Sequence, residues 1–156
     1  MAETFMYEDI LNTLIELETR GVALYSKLAK AADSLEVEKL MLFLSEQEHQ
    51  HQLFYESLKK QIIPHELTSE EYNAYIEALL DQTYSLLLDA EEEGLAYNLA
   101  IKKAKSIEMA TLVLLNEFKK MMARSMEPKI ELLMDEERRH LQLLYSLEKN
   151  KNIQFI

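Results

Sequence analysis

Apolar residues recur every three or four positions along most of the chain, which is the periodicity of amphipathic α-helices. The first such stretch runs from about residue 5 to 32, and the second from about 36 to 60. A capping box, Asp33-x-x-Glu36, is predicted to open the second helix, which Pro64 ends. Because few residues separate the two stretches, we expect the first two helices to be antiparallel neighbours.

A long crossover is predicted to follow, spanning about 61–89. Within it, a second capping box, Thr68-x-x-Glu71, predicts a short extra helix from about Ser69. The crossover therefore separates the first pair of long helices from whatever follows them.

The periodic pattern then resumes over two further long helices. The third is expected to begin between 89 and 93 and to end near Met122. For the fourth, Ser125 is the predicted N-cap and Pro128 is tolerable in the first turn. The last residues, 150–156, are interpreted as a tail.

The two halves of the chain look like copies of each other. Residues 10–18 align with 100–108, and 44–48 align with 133–137, with offsets of 90 and 89. Two helical hairpins joined by a long crossover predict an all-α four-helix bundle. Two Gly and two Pro in 156 residues agree with this, because a sheet protein of that length needs more turn residues.

Acidic and histidine residues interrupt the apolar stripes at matching places in both halves. In a helix, residues three apart lie about 60° apart on one face, so a Glu-x-x-His pair can reach one metal ion. Four glutamates within apolar stripes would each cost several kcal/mol to bury unpaired, so metal or protons must balance them. Four carboxylates and two neutral imidazoles match two divalent ions, with iron or manganese favoured. The predicted ligands are Glu18, Glu48, His51, Glu108, Glu137 and His140.

Other polar positions within or near the stripes have more than one interpretation. His49 also follows a glutamate at a spacing of three, but its face is polar and we expect it at the surface. His65 in the crossover is expected to be exposed. Tyr25, seven residues after Glu18, is either a hydrogen-bond donor to a ligand carboxylate or an ordinary buried tyrosine. Gly21 allows either close helix approach or room beside the metals.

Composition narrows the functional classes. The chain is expected to form one domain, 1–156, with a net charge of −11, which disfavours nucleic acid and anionic membranes as partners. No cysteine is present, so a disulfide, an Fe–S cluster and any other cysteine-ligated iron are excluded within these residues. We expect no haem. The first residues lack the pattern of a signal peptide and no apolar stretch could span a bilayer, so the expected location is cytoplasmic.

At these residues the chain resembles the ferritin-like superfamily, most closely the di-iron domain of the rubrerythrin family. The resemblance covers 5–60 and 90–148 and is carried by Glu18 with Tyr25, by Glu108 and by the two Glu-x-x-His motifs. It implies a ferritin-like four-helix bundle with a non-haem centre of two iron ions. That centre would cycle between diferrous and diferric states while reducing peroxide or dioxygen.

The sequence departs from the rubrerythrin pattern in four respects. Rubrerythrins have a further glutamate three residues after the position of Glu108, but this chain has Thr111 there. The tyrosine expected seven residues after Glu108 is replaced by Leu115. No rubredoxin-like module of four cysteines is present, so electrons would come from a separate protein or a small reductant. The crossover is longer than is usual for the family and could cover the site or form an oligomer interface.

Three functions follow from this resemblance. The first is a di-iron oxidoreductase that acts on a small oxidant and is expected to form a homodimer. In it, His51 and His140 would each bind one iron. Glu48 and Glu137 would bridge the two irons, and Glu18 and Glu108 would be terminal or bridging ligands. Each histidine is expected to be held through its other ring nitrogen by an acceptor. The second is ferritin-like ferroxidation and iron handling. The third is a structural bundle that retains a relic metal site.

Overall fold

Five α-helices make up the part of the chain that the structure describes. The structure, a computed structural model, describes residues 2–61, 69–89 and 96–149, with side chains from residue 7 onward. No strand occurs within these ranges, which confirms the all-α prediction. The helices are α1 (Ala2–Lys30), α2 (Leu35–Lys59), α3 (Glu70–Asp89), α4 (Tyr97–Met121) and α5 (Glu127–Lys149).

Four of these helices form a bundle of two hairpins. Helix α1 packs along α2, α4 packs along α5, and α1 also packs against α4. The α1–α2 connection is residues 31–34 and the α4–α5 connection is residues 122–126, so each pair runs antiparallel.

The core of the bundle is formed by the apolar stripes that the sequence predicts for its four helices. Leu14, Leu44, Leu115 and Leu144 come from the four bundle helices and are all fully buried. Burying one such side chain contributes about 1.5–3 kcal/mol relative to leaving it exposed, so the stripes hold the helices together. Every glutamate that lies on these stripes is carried into the interior with them.

Helix α3 lies outside the bundle, against α1 and α4. At 20 residues it is longer than the short helix expected in the crossover. Its Ile76 and Leu87 are buried, and its Tyr72 hydroxyl donates to the carboxylate of buried Glu117 on α4. Lys120 Nζ lies 3.2 Å from the same carboxylate, so the buried charge is paired. Helix α3 therefore covers the α1–α4 side of the bundle.

The N-terminus of α2 is capped one residue later than predicted. Ser34, and not Asp33, has the extended backbone of an N-cap, and its hydroxyl oxygen accepts a hydrogen bond from the Val37 amide at 3.2 Å. At α3 it is Ser69 that accepts from the Tyr72 amide, at 3.1 Å. Thr68, the predicted cap there, lies outside the described residues.

The starts of the last two bundle helices also differ from the prediction. Asp89 still belongs to α3, and α4 begins only at Tyr97, after Ala96 in extended conformation without a side-chain cap. The predicted start between 89 and 93 is therefore wrong. Ser125 is not an N-cap, because it lies inside a 3-10 turn, Arg124–Met126, that leads into α5.

Of the remaining predictions, the one for His49 can be compared with the structure and three others cannot. His49 is exposed on α2, as predicted. Pro64, His65 and the tail at 150–156 lie outside the described residues. Among the described helices, none combines the length and the apolar character that a membrane crossing requires.

Candidate metal centre

All six predicted ligand side chains lie together in one buried cluster inside the bundle. None of them exposes more than 3% of its surface. The helical stripes explain this convergence, since each of these residues lies on the face that its helix turns toward the other three. Helix α1 supplies Glu18, α2 supplies Glu48 and His51, α4 supplies Glu108, and α5 supplies Glu137 and His140.

His51 turns one ring nitrogen toward the carboxylates and the other away from them. Its Nδ1 lies 2.9 Å from Glu137 Oε1, 3.4 Å from Glu48 Oε2 and 3.8 Å from Glu18 Oε2. Its Nε2 lies 2.7 Å from Glu136 Oε2. Because a carboxylate oxygen accepts, Nε2–H donates to Glu136, which leaves Nδ1 as the nitrogen able to bind a metal.

His140 has the same arrangement from the opposite hairpin. Its Nδ1 lies 3.1 Å from both Glu48 Oε1 and Glu137 Oε2, and 3.5 Å from Glu108 Oε1. Its Nε2 lies 2.6 Å from Gln47 Oε1, to which Nε2–H donates. The two imidazole rings are stacked, with centroids 5.9 Å apart and an angle of 18° between their planes.

The two central carboxylates, Glu48 and Glu137, therefore face both histidines at once, with one oxygen toward each Nδ1. This divides the cluster into two overlapping ligand groups, in each of which the ligand atoms lie within 4.8 Å of one another. We call them position 1 and position 2. Position 1 comprises Glu18, Glu48, His51 and Glu137, and position 2 comprises Glu48, Glu108, Glu137 and His140.

Unpaired polar atoms in the cluster indicate that these residues fit metal ions. Glu18 Oε1, Glu48 Oε2, His51 Nδ1 and both Glu137 oxygens are buried and make no hydrogen bond among the described residues. His51 Nδ1 and Glu137 Oε1 are close, but they are not aligned as a hydrogen bond. Each unsatisfied buried group costs about 1–3 kcal/mol, and two divalent ions would satisfy all five atoms.

The four glutamates divide into two pairs by the direction in which their pKa is shifted. Burial raises the pKa of Glu18 and of Glu108, and repulsion from Glu48 and Glu137 raises both further. Burial would also raise the pKa of Glu48, but the adjacent Glu18 carboxyl and the two histidines hold it well below its ordinary value. Burial and repulsion from Glu48 raise the pKa of Glu137 and the histidines lower it, with a net decrease.

The two histidines balance the negative charge of the cluster when no metal is bound. Burial alone would lower the pKa of each imidazole, but the surrounding carboxylates raise the pKa of His140 to about 12 and that of His51 also well above its ordinary value. Two imidazolium ions then balance two carboxylates. Two divalent ions with four carboxylates and two neutral imidazoles would be neutral as well. Protons and metal ions are therefore alternative ways to satisfy this core.

The structure decides between the alternative interpretations of Tyr25 and Gly21 on α1. The Tyr25 hydroxyl donates to Glu108 Oε1 across the core, and burial, followed by the Glu108 charge, raises the pKa of Tyr25 so that the phenol keeps its proton. At Gly21, an added Cβ would lie 3.2 Å from Glu48 Cγ. The glycine thus allows the close approach of α2 and of the central carboxylate.

Sequence reasoning did not identify three residues that border the cluster. Gln47 and Glu136 accept from the histidines, and each directly precedes the glutamate of a Glu-x-x-His motif, so the two are related by the same offset of 89 as the motifs. The repeat between the two halves could therefore have pointed to these two acceptors. Tyr55 is fully buried, seven residues after Glu48, and its hydroxyl has no hydrogen-bond partner among the described residues. The same spacing relates Tyr25 to Glu18.

Comparison of the sequence with protein-family models and with curated proteins finds no match. Comparison of the structure finds a crystal structure from Thermotoga maritima, provisionally described as a ferritin-like diiron-carboxylate protein. The TM-score is 0.67 at 20% sequence identity, and the match covers 94% of this chain and 96% of that one. At this identity the likeness concerns the fold, and the fold of this chain is ferritin-like.

Proposed function

We propose that the chain holds two iron ions and acts as a non-haem di-iron oxidoreductase of the rubrerythrin type, reducing peroxide or dioxygen. The observation that carries this proposal is the pair Glu48 and Glu137, each with one oxygen toward His51 Nδ1 and the other toward His140 Nδ1. Such carboxylates are suited to bridging two ions. When bound, the ion pair supplies two electrons to a small oxidant.

The chain's own residues hold and orient the centre. His51 and His140 supply one nitrogen to each position, and their Nε2–H bonds to Glu136 and Gln47 fix the orientation of both rings. Glu18 and Glu108 are the outer carboxylates, one in each position. Manganese would also suit this ligand set, so metal availability selects between the two.

Access to the centre is best supported on the side where α2 and α5 face each other. Glu136 exposes 29% of its side chain while touching His51, and Gln47 is half-buried beside His140. We therefore place the entry of a small oxidant at this edge. Reduction of hydrogen peroxide to two water molecules takes up two electrons and two protons. Two bound ferrous ions would supply these electrons, and a separate donor would return them, since these 156 residues contain no cysteine-ligated redox centre.

The test begins with metal analysis of protein purified without added metal, where two iron ions per chain are expected. The iron-loaded protein is then reduced without oxygen and mixed with hydrogen peroxide, and one peroxide should disappear per ion pair. The Glu137→Gln variant, which alters a carboxylate shared by both positions, should lose both metal and peroxide consumption. Two bound irons that reduce no peroxide and no dioxygen would overturn the oxidoreductase proposal. A cage of many subunits on a sizing column would favour iron handling.

A further inference from the structure

The two histidines of the cluster are backed by chemically different acceptors. Gln47 and Glu136 occupy equivalent places in the two hairpins, and each crosses to the histidine of the other hairpin. Glu136 Oε2 lies 2.7 Å from His51 Nε2, and Gln47 Oε1 lies 2.6 Å from His140 Nε2. One imidazole therefore donates to a carboxylate and the other to a neutral amide.

This difference changes how strongly each Nδ1 donates to a metal. A hydrogen bond from imidazole to a charged acceptor is stronger than one to a neutral acceptor, and it pushes electron density onto the ring. His51 is thus the more basic ligand at position 1. His140, backed by an amide, is the weaker donor at position 2.

The outer glutamates differ in the same direction. Glu108 Oε1 at position 2 accepts a hydrogen bond from the Tyr25 hydroxyl, which withdraws charge from that carboxylate. Glu18 Oε1 at position 1 has no hydrogen-bond partner among the described residues. The residue of the second hairpin that corresponds to Tyr25 is Leu115, which cannot donate. Both differences leave position 1 with the more electron-rich ligands.

We propose that position 1 binds its metal ion more tightly than position 2, and that the acceptors Glu136 and Gln47 set this order. The inference rests on the proposed dinuclear centre and adds an order of filling to it. Position 1 fills first and position 2 last, so a limited supply of metal gives a chain with one ion at position 1. Glu136 and Gln47 act through the histidines and are positioning residues.

Calorimetric titration of the metal-free chain with Mn²⁺ tests the order without any turnover. Wild-type protein should show two unequal binding steps that sum to two ions per chain. Glu136→Gln exchanges the charged acceptor for a neutral one and should weaken the first step by about tenfold, the lower end of the effect of losing such a partner altogether, and leave the second nearly unchanged. Gln47→Glu should strengthen the second step. In the wild-type background, His51→Ala should abolish the tighter step. The double exchange Gln47→Glu with Glu136→Gln keeps the net charge, and in that background His140→Ala should abolish the tighter step instead.

Asp135→Asn is the matched control for charge. Asp135 neighbours Glu136, is exposed, and pairs with Arg138 at 2.6 Å instead of touching a histidine. Its loss should leave both steps unchanged, and an effect equal to that of Glu136→Gln would overturn the proposal. Two equal steps in the wild type would also overturn it while leaving the dinuclear centre intact. Binding of fewer than two Mn²⁺ ions at saturation would instead refute the centre itself.

Discussion

The α1–α2 hairpin and the α4–α5 hairpin present the same ligand types at the same spacing, yet the residues around those ligands differ. An outer glutamate, a central glutamate and a histidine recur with offsets of 90, 89 and 89. Three neighbouring positions do not recur, and the pairs are Gly21 and Thr111, Tyr25 and Leu115, and Gln47 and Glu136. The candidate ligands are thus of the same types in both hairpins, whereas the residues that support them differ and can make the two positions unequal.

The packing of the two hairpins differs as well. Helices α1 and α2 pack together more extensively than α4 and α5. Gly21 contributes to this, because its missing Cβ leaves space for Glu48. Thr111 is buried, and its hydroxyl donates to the Ile107 carbonyl of its own helix at 2.9 Å, so it makes no hydrogen bond to α5.

The largest expected effect comes from removing one histidine at a time. His51→Ala and His140→Ala should each reduce the bound metal from two ions to about one, because each imidazole faces one position while the central glutamates remain. Peroxide consumption should fall in both variants. Metal analysis after gel filtration measures the loss. Two tightly bound ions in His51→Ala would mean that the cluster is not divided as we describe.

The next effect concerns what the two hairpins share, an outer glutamate and a histidine whose pKa values are both raised in the metal-free fold. Folding raises the pKa values of Glu18 and Glu108 above 4.5 and those of the histidines above 6.5. A group with a raised pKa contributes stability below its unfolded value and loses it as pH rises through the folded value. The lowered pKa values of Glu48 and Glu137 act only at pH below 4.5. The metal-free fold should therefore lose stability from about pH 5 to about pH 8.

Metal should counteract this loss, since it replaces the protons. Binding to the folded chain adds about 4 kcal/mol at a thousandfold excess over Kd, or about 10 °C in Tm for a chain of this size. The increase in Tm should be larger at about pH 8 than at about pH 5, where protons compete for the ligands. Thermal melting with and without Mn²⁺ across this range measures it. An equal increase at every pH would show that the cluster does not exchange protons for metal.

A smaller effect is expected from Gly21→Ala, which tests the close packing of the first hairpin. The new Cβ would meet Glu48 Cγ at 3.2 Å, and such overpacking costs about 1–3 kcal/mol, against a gain of about 1 kcal/mol in helix propensity. The net result should be a modest loss of stability together with weaker metal binding, because Glu48 serves both positions. Thr111→Ala in the other hairpin is the control and should leave metal affinity unchanged. Full affinity in Gly21→Ala would show that Glu48 can move aside freely.

The smallest effect separates Tyr25 from Tyr55, which are both fully buried in the first hairpin. Tyr25→Phe removes the hydrogen bond to Glu108 and should destabilise the metal-free chain by about 1–2 kcal/mol. Tyr55→Phe removes a buried hydroxyl without a partner and should be neutral or stabilising by up to about 1 kcal/mol. Denaturant unfolding of the two variants measures the difference. Equal losses would mean that Tyr55 also has a hydrogen-bond partner.

Much of the site was predictable because helical periodicity places ligand residues on a known face. The stripes that contain Glu18 and Glu108 identified four of the buried glutamates, and the repeat of Glu-x-x-His paired them, whereas buried Glu117 was not predicted. The helix starts were less predictable. Asp33 and Ser34 are both good N-cap residues, and the sequence does not say which of two adjacent candidates takes the extended backbone.

The sequence by itself determined the all-α class, the two hairpins and the six side chains that meet inside the bundle, because these follow from local spacing along single helices. Only the tertiary structure decided that Glu136 meets His51, that Gln47 meets His140 and that Tyr25 reaches Glu108. These contacts join residues more than 80 positions apart in sequence. They depend on how the two hairpins rotate and slide against each other, and local periodicity does not set that relation.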